Sequence, residues 1–229
     1  MRPHAVHAVI AVKSLDRAKS RLADRLRPEH RAQLVLAMLA DTVTAAIAVP
    51  QIASVTVVTP DPVVSELAGR LGAVVHPEPR RTILDRDGLN TALTDAATAL
   101  RHRHGPVELL ALQADLPALR PDELSDMLTT APVGARSVVV DHAGSGTAAL
   151  YVRDDTAALD PRFGPGSARR HIAAGAVELT GAWPGLRLDV DTAADLDRAI
   201  ELGAGDSTCA VLPIIDWPIH VHERVRRVC

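Results

Sequence analysis

Apolar positions fall in short blocks that alternate with longer stretches of helical spacing. Residues 6–12 are a nearly unbroken apolar run of strand length, the pattern of a strand covered on both faces. Over 28–49 the period changes. Leu34, Met38, Leu39 and Val43 share one face of a helix, and Pro28 suits its first turn. Residues 54–59 are rich in β-branched residues and bounded by Pro60, which predicts a second strand. A short helix is predicted over 62–71, stopped by Gly72, then a strand over 73–76. An Ala-rich helix follows over 89–103, a fourth strand over 107–113 and a helix over 121–130. Strands separated by helices mean βαβ units, hence an α/β fold with a mostly parallel sheet.

The rhythm changes in the second half. Residues 137–141 and 148–152 read as strands joined by a Gly-rich loop short enough for a hairpin, which predicts a small antiparallel insertion. A short helix is expected over 167–174, extended segments over 177–179 and 186–189, and a last clear helix over 192–202. Beyond Gly205 the pattern decays. With no repeat and no dividing linker, the chain reads as a single domain over 1–205 followed by a tail, 206–229, of uncertain order.

Composition narrows the classes of function. The chain has 229 residues, 47% hydrophobic, with a net charge of −3. That balance argues against a nucleic-acid binder, which depends on neutralising phosphates. The aromatics are Tyr151, Phe163, Trp183 and Trp217, too few for a base-stacking platform. No stretch is long and apolar enough to suggest a membrane span, and no signal-peptide pattern opens the chain. Cys209 and Cys229 lie near the end and suggest neither a disulfide framework nor a zinc site. A cytoplasmic enzyme is the expectation.

Four groups of residues carry candidate chemistry. Lys13, Arg17, Lys19 and Arg21 crowd the loop after the first strand. Ligands of open α/β sheets bind outside the carboxyl ends of the strands, so four cations there suit a polyanion such as a nucleoside triphosphate. A solvated charged loop would look the same. Asp115 follows the fourth strand in Gln113-Ala-Asp-Leu-Pro117, although a turn before Pro117 also explains it. Asp189 and Asp191, two apart in an extended segment, project to one side. Carboxylates of this kind suit Mg²⁺ shared with substrate phosphates. Asp191 or Thr192 equally suits a helix N-cap. Gly144-Ser-Gly-Thr147 and Gly164-Pro-Gly-Ser167 are Gly-rich loops, the second placing Ser167 as a helix N-cap beside backbone amides that favour anions. Asn90, in Asp87-Gly-Leu-Asn90, suits either a base or ribose contact or a turn. Neither a Gly-x-Gly-x-x-Gly fingerprint opening the chain nor a P-loop is present.

Taken in order, Lys13 to Leu22, Asp87-Gly-Leu-Asn90, Gln113-Ala-Asp115-Leu-Pro, Gly144-Ser-Gly-Thr147, Arg162-Phe-Gly164-Pro-Gly-Ser167, Glu178 to Gly185 and Asp189-Val-Asp191-Thr resemble a known family. It is the phosphoenolpyruvate guanylyltransferase and 2-phospho-L-lactate guanylyltransferase family of coenzyme F-420 biosynthesis, in its actinobacterial branch. The resemblance spans about residues 6–203. Ala114 stands where relatives often carry Gly, and 206–229 have no evident counterpart. The resemblance implies a three-layer nucleotidyltransferase fold of the nucleotide-diphospho-sugar transferase type, similar to the molybdenum-cofactor guanylyltransferases. It implies transfer of GMP from GTP to phosphoenolpyruvate, releasing pyrophosphate. Alternatives within the fold are 2-phospho-L-lactate, molybdenum-cofactor or sugar-phosphate acceptors; outside it, a nucleotide-binding regulatory module. By the same resemblance Asp115, Asp189 and Asp191 hold Mg²⁺, and Thr147, Gly164 and Ser167 bind the phospho-acid. Lys13, Lys19 and Arg21 act on the phosphates, Asp87 and Asn90 belong to the nucleotide site, and a downstream F-420 transferase takes the product.

Overall fold

The computed structural model describes residues 5–15, 19–78 and 88–218. Seven strands form one sheet in the order β3-β2-β1-β4-β6-β5-β7. β1 (Val6–Ala11), β2 (Ile52–Thr59), β3 (Val74–Pro77) and β4 (Glu108–Leu112) run parallel to one another. β5 (Arg136–Val140) and β6 (Thr147–Val152) form the expected hairpin, with β6 antiparallel to both β4 and β5; β7 (Val177–Glu178) adds to β5 in parallel.

Helices cover both faces, which is why β1 and β4 are apolar throughout. Alternation along β1 divides its side chains. Val6, Ala8 and Ile10 face α1 (Pro28–Ile47), α2 (Pro62–Arg70) and α4 (Pro121–Thr130), joining Leu39, Val43, Val64, Leu124 and Met127. Val9 faces α3 (Gly88–His104), meeting Leu93, Ala96 and Phe163. Helix starts follow their local signals. Asp61 caps α2 by accepting from the Val63 and Val64 amides, and Thr192 and Asp195 close a reciprocal capping box on α7 (Ala193–Leu202).

Four expectations need correction. Residues 186–189 were expected to be extended, but Pro184–Arg187 form a short helix, α6. Glu123 accepts from the Gly185 and Leu186 amides at its start (3.3 and 2.8 Å), and any Cβ on Gly185 would strike the Ala118 carbonyl oxygen. Ser167 is not the N-cap of α5 (Ser167–Ala173). Gly166, at φ +68°, takes that place, which frees the Ser167 hydroxyl for a contact of its own. Structure also continues past residue 205. α8 (Asp206–Val211) docks on α1, its Ser207 and Thr208 amides donating to Asp41 (3.0 and 2.8 Å). Leu212, Ile215 and Trp217 pack with Leu34, Val35 and Met38 on the face of α1 turned away from the sheet. Finally, Cys209 is disulfide-bonded.

Candidate active site

The predicted site residues that the structure describes lie at the carboxyl ends of β1 and β4, the starts of α3, β6 and α5, and the segment before α7. Asp87 and Arg17 lie outside the described residues. One cleft of about 540 Å³ is lined by Arg21, Thr147, Gly164, Ser167, Asp189 and Asp191 among others. A second, of about 420 Å³, is lined by Lys13, Lys19, Arg21, Asp115 and Asp191. Arg21, Gln113 and Asp191 are common to both.

One backbone bond joins the carboxylate segments, and a second bond anchors the Asp115 loop to α1. The Val190 amide donates to the Asp115 carbonyl (3.1 Å), and the Leu116 amide donates to the Thr42 hydroxyl on α1 (3.1 Å). Val190 is fully buried, and its neighbours Asp189 and Asp191 both line the first cleft. Lys19 stands between two of the three carboxylates. Its ammonium pairs with Asp115 and lies 3.0 Å from Asp191 Oδ1. Burial opposes the charge of Lys19, but the two carboxylates outweigh it and raise its pKa. Lys19 also sits at φ +50°, left-handed for a residue with a Cβ, a strain that its two ion pairs hold in place. Arg21 reaches Asp191 Oδ2 at 3.2 Å from a largely exposed position. Lys13 is exposed at the end of β1.

Asp189 differs from its companions. Burial, reinforced by the charges of Asp115, Asp141 and Asp191, raises its pKa to about 6. Its Oδ1 is buried with no hydrogen-bond partner. His142 lies 3.4 Å away through Nδ1, while its Nε2 is held 2.9 Å from Asp195. Among the described residues, no three His, Cys, Asp or Glu side chains stand close enough to hold a metal ion as they are. The donors nevertheless suit a hard divalent cation: oxygen ligands only, one orphaned carboxylate oxygen, and two further carboxylates already sharing one cation.

The other wall is a preformed polar pocket. Asp141 shapes the hairpin loop by accepting from the Ser145 and Gly146 amides (3.0 and 2.8 Å). Thr147 and Ser167, both buried, share a hydrogen bond of 3.0 Å. Gly164, at φ +116°, lies in a loop held from several sides. Arg170 donates to the carbonyls of Arg162, Phe163 and Pro165. Asn90 bonds both backbone groups of Phe163, donating to its carbonyl (3.1 Å) and accepting from its amide (2.8 Å). The Asn90 side chain, expected at a base or ribose or in a turn, thus holds the loop that carries Gly164, and it also lines a cleft of about 550 Å³ with Lys13 and Gly164. Sequence patterns alone pass over Asp141, His142, Arg170 and His171. Asp195 has a signal, since Thr192-x-x-Asp195 is a capping-box spacing.

A family model described as guanylyl transferase CofC like matches residues 6–226. The chain belongs to this family. The match runs well past 203, so most of 206–229 has a counterpart after all. A phosphoenolpyruvate guanylyltransferase of Nocardia farcinica is 70% identical over 229 residues, covering all of both chains. One of Rhodococcus erythropolis is 52% identical over 215 residues, covering 90% of this chain and 95% of that one. Among solved structures, a protein assigned as a nucleotide-diphospho-sugar transferase from Desulfovibrio desulfuricans G20 superposes with a TM-score of 0.69. It shares 14% identity and covers 93% of this chain and 96% of that one. The nucleotide-diphospho-sugar transferase-type fold is therefore present, and the chain is a nucleotidyltransferase of the guanylyltransferase family. Among the described residues, no helix is long and apolar enough to cross a membrane.

Proposed function

We propose that the enzyme transfers GMP from GTP to phosphoenolpyruvate, forming enolpyruvoyl-2-diphospho-5'-guanosine and pyrophosphate in coenzyme F-420 biosynthesis. The observation that carries this reading is the charge layout of one continuous site. The cleft with Thr147, Gly164, Ser167 and Asp189 and the cleft with Lys13, Lys19 and Asp115 share Arg21 and Asp191. Full-length likeness to named phosphoenolpyruvate guanylyltransferases supports the choice of acceptor. Both substrates are cytoplasmic metabolites, so we place the enzyme there.

The chemistry asks little of a protein nucleophile. The phosphate of phosphoenolpyruvate is already ionised; one of its oxygens attacks the α-phosphorus of GTP in line, and pyrophosphate leaves with the bonding electrons. The obstacle is repulsion between two anions, so catalysis is positioning and neutralisation. Thr147, Gly164 and Ser167 seat the phospho-acid by its carboxylate end. Lys13 meets the phosphates at the strand end, while Lys19 and Arg21 steady the triphosphate and the departing pyrophosphate. Asp115, Asp189 and Asp191 would hold Mg²⁺, which would supply positive charge to offset that of the phosphates.

The test incubates GTP and Mg²⁺ with each phospho-acid and identifies the product by mass spectrometry, with a downstream F-420 transferase trapping the unstable intermediate. A guanylylated phosphoenolpyruvate is expected, and Asp115→Asn, Asp189→Asn and Asp191→Asn should each abolish it. Product from 2-phospho-L-lactate or a sugar phosphate, with none from phosphoenolpyruvate, would refute the assignment. So would tight GTP binding without turnover on any acceptor.

A further inference from the structure

Thr147 and Ser167 each carry one hydroxyl proton, and what the pair can recognise depends on where those protons point. His171 settles the matter. Its ring is fully buried beneath the pocket. Nε2 accepts from the backbone N–H of Arg162 at 2.8 Å. A backbone amide can only donate, so Nε2 carries no proton. The ring is neutral: burial, aided by the cations of Arg170 and Arg162, lowers its pKa to about 4. Its single proton therefore sits on Nδ1, 3.0 Å from Thr147 Oγ1.

Thr147 Oγ1 must then accept from the ring. Ser167 Oγ lies 3.0 Å from the same oxygen, so one of the two hydroxyl protons bridges the pair. The second proton is used neither by the ring nor by the bridge. If Ser167 donates to Thr147, the remaining proton belongs to Thr147; if the bridge runs the other way, it belongs to Ser167. Both residues line the cleft, so a donor is presented there in either case. The opposite ring tautomer would reverse this. Thr147 would donate to the ring and Ser167 to Thr147, leaving only lone pairs for the ligand.

We propose that His171 is a positioning residue that sets the polarity of the phospho-acid pocket: by donating to Thr147, it obliges the Thr147–Ser167 pair to offer a hydrogen-bond donor to an oxyanion. This rests on the reading above that the pair holds the phospho-acid. The surrounding clamp serves the same end. Arg170 and Asn90 fix the backbone of 162–165 and so keep the Arg162 amide aimed at Nε2. The pocket then favours an acceptor, strongest for a carboxylate or phosphate oxygen, over a hydrogen-bond donor at the same point.

Two measurements test this. In ¹⁵N-labelled enzyme at neutral pH, the His171 ring should show a protonated Nδ1 and an unprotonated Nε2. A protonated Nε2 overturns the proposal and needs no variant to fold. Two substitutions set the polarity at the Nδ1 position in opposite senses. His171→Asn keeps an amide N–H near that position; His171→Asp places an acceptor there, which draws the Thr147 proton and leaves the pair only lone pairs for the ligand. His171→Asn should hold KM for phosphoenolpyruvate within about threefold of the parent, whereas His171→Asp should raise it about tenfold or more, the loss of a hydrogen bond to a charged group. KM for GTP should stay unchanged in both. Equal effects of the two variants on KM for phosphoenolpyruvate, or a matching rise in KM for GTP, would overturn the proposal. The double variant Thr147→Val with Ser167→Ala, which removes both hydroxyl protons, distinguishes the underlying reading. If it leaves KM for phosphoenolpyruvate unchanged, the pocket assignment falls and the proposal falls with it. If it raises that KM while the ring carries its proton on Nε2, only the role of His171 falls.

Discussion

Replacing Asn90 with leucine removes a polar bridge while keeping the branched skeleton of the side chain. Asn90 is buried on the first turn of α3 and bonds both the carbonyl and the amide of Phe163, 73 residues away. The two lost bonds have different consequences. The Phe163 carbonyl keeps a partner in Arg170 Nη2 at 3.0 Å, so its loss costs about 1 kcal/mol. The Phe163 amide loses the acceptor that holds it at 2.8 Å, and an orphaned buried donor costs about 2 kcal/mol. The sum is about 3 kcal/mol, which for a chain of this length lowers Tm by roughly 6–12 °C. Calorimetry or denaturant titration reads this directly. Steady-state kinetics should show KM for phosphoenolpyruvate rising, because the loop bearing Gly164 loosens, with KM for GTP little changed. A variant within about 2 °C of the parent Tm whose KM for GTP rises tenfold would refute the bridge and return Asn90 to the nucleotide.

Four further outcomes are expected. The folded pKa of His171 lies below that of a free imidazole, so its contribution to stability is present above pH 6.5 and is lost as pH falls towards about 4; acid titration of Tm should show a loss of about 3 kcal/mol that His171→Asn abolishes. Gly185→Ala should destabilise by about 2 kcal/mol or more, read by chemical denaturation, because the new Cβ strikes a backbone carbonyl that cannot swing aside. Trp217→Ala should cost about 3–5 kcal/mol in the same assay, since Trp217 is buried against α1 and donates to Asp197 at 2.9 Å. Chelation of divalent metal should stop pyrophosphate release yet shift Tm by less than about 2 °C, because Lys19 already pairs Asp115 and Asp191; a large fall in Tm would show that the metal, not the lysine, holds the carboxylates together.

What could be read from the chain and what could not divide on physical lines. The parallel half was legible because β1 and β4 are buried on both faces and their helices are long enough for a period to show. Asp189 and Asp191 were legible because a spacing of two survives into three dimensions around a buried Val190. α6 and α8 were not, because four and six residues span too little of a helical turn pattern to outweigh their neighbours. Their stability comes from Glu123 and Asp41, carboxylates distant in sequence that accept from their first amides. The bond from Asn90 to Phe163 was hidden for a related reason: its partner lies 73 residues away and leaves no local pattern. His171 carried no motif, since its importance lies in which ring nitrogen meets a backbone amide.

The double burial of α1 has a consequence for how the protein is made. One side of this helix packs on the sheet, but Leu34, Val35 and Met38 are covered by Leu196, Ile200, Leu212 and Trp217. During synthesis the first βαβ unit can leave the ribosome, yet a strip of its longest helix stays wet until the segment through Trp217 has emerged. The first half of the chain therefore waits on residues far along it before its fold is closed. A truncation just before Leu212 should act less like trimming a tail than like removing a wall, with nascent chains prone to aggregate through that strip.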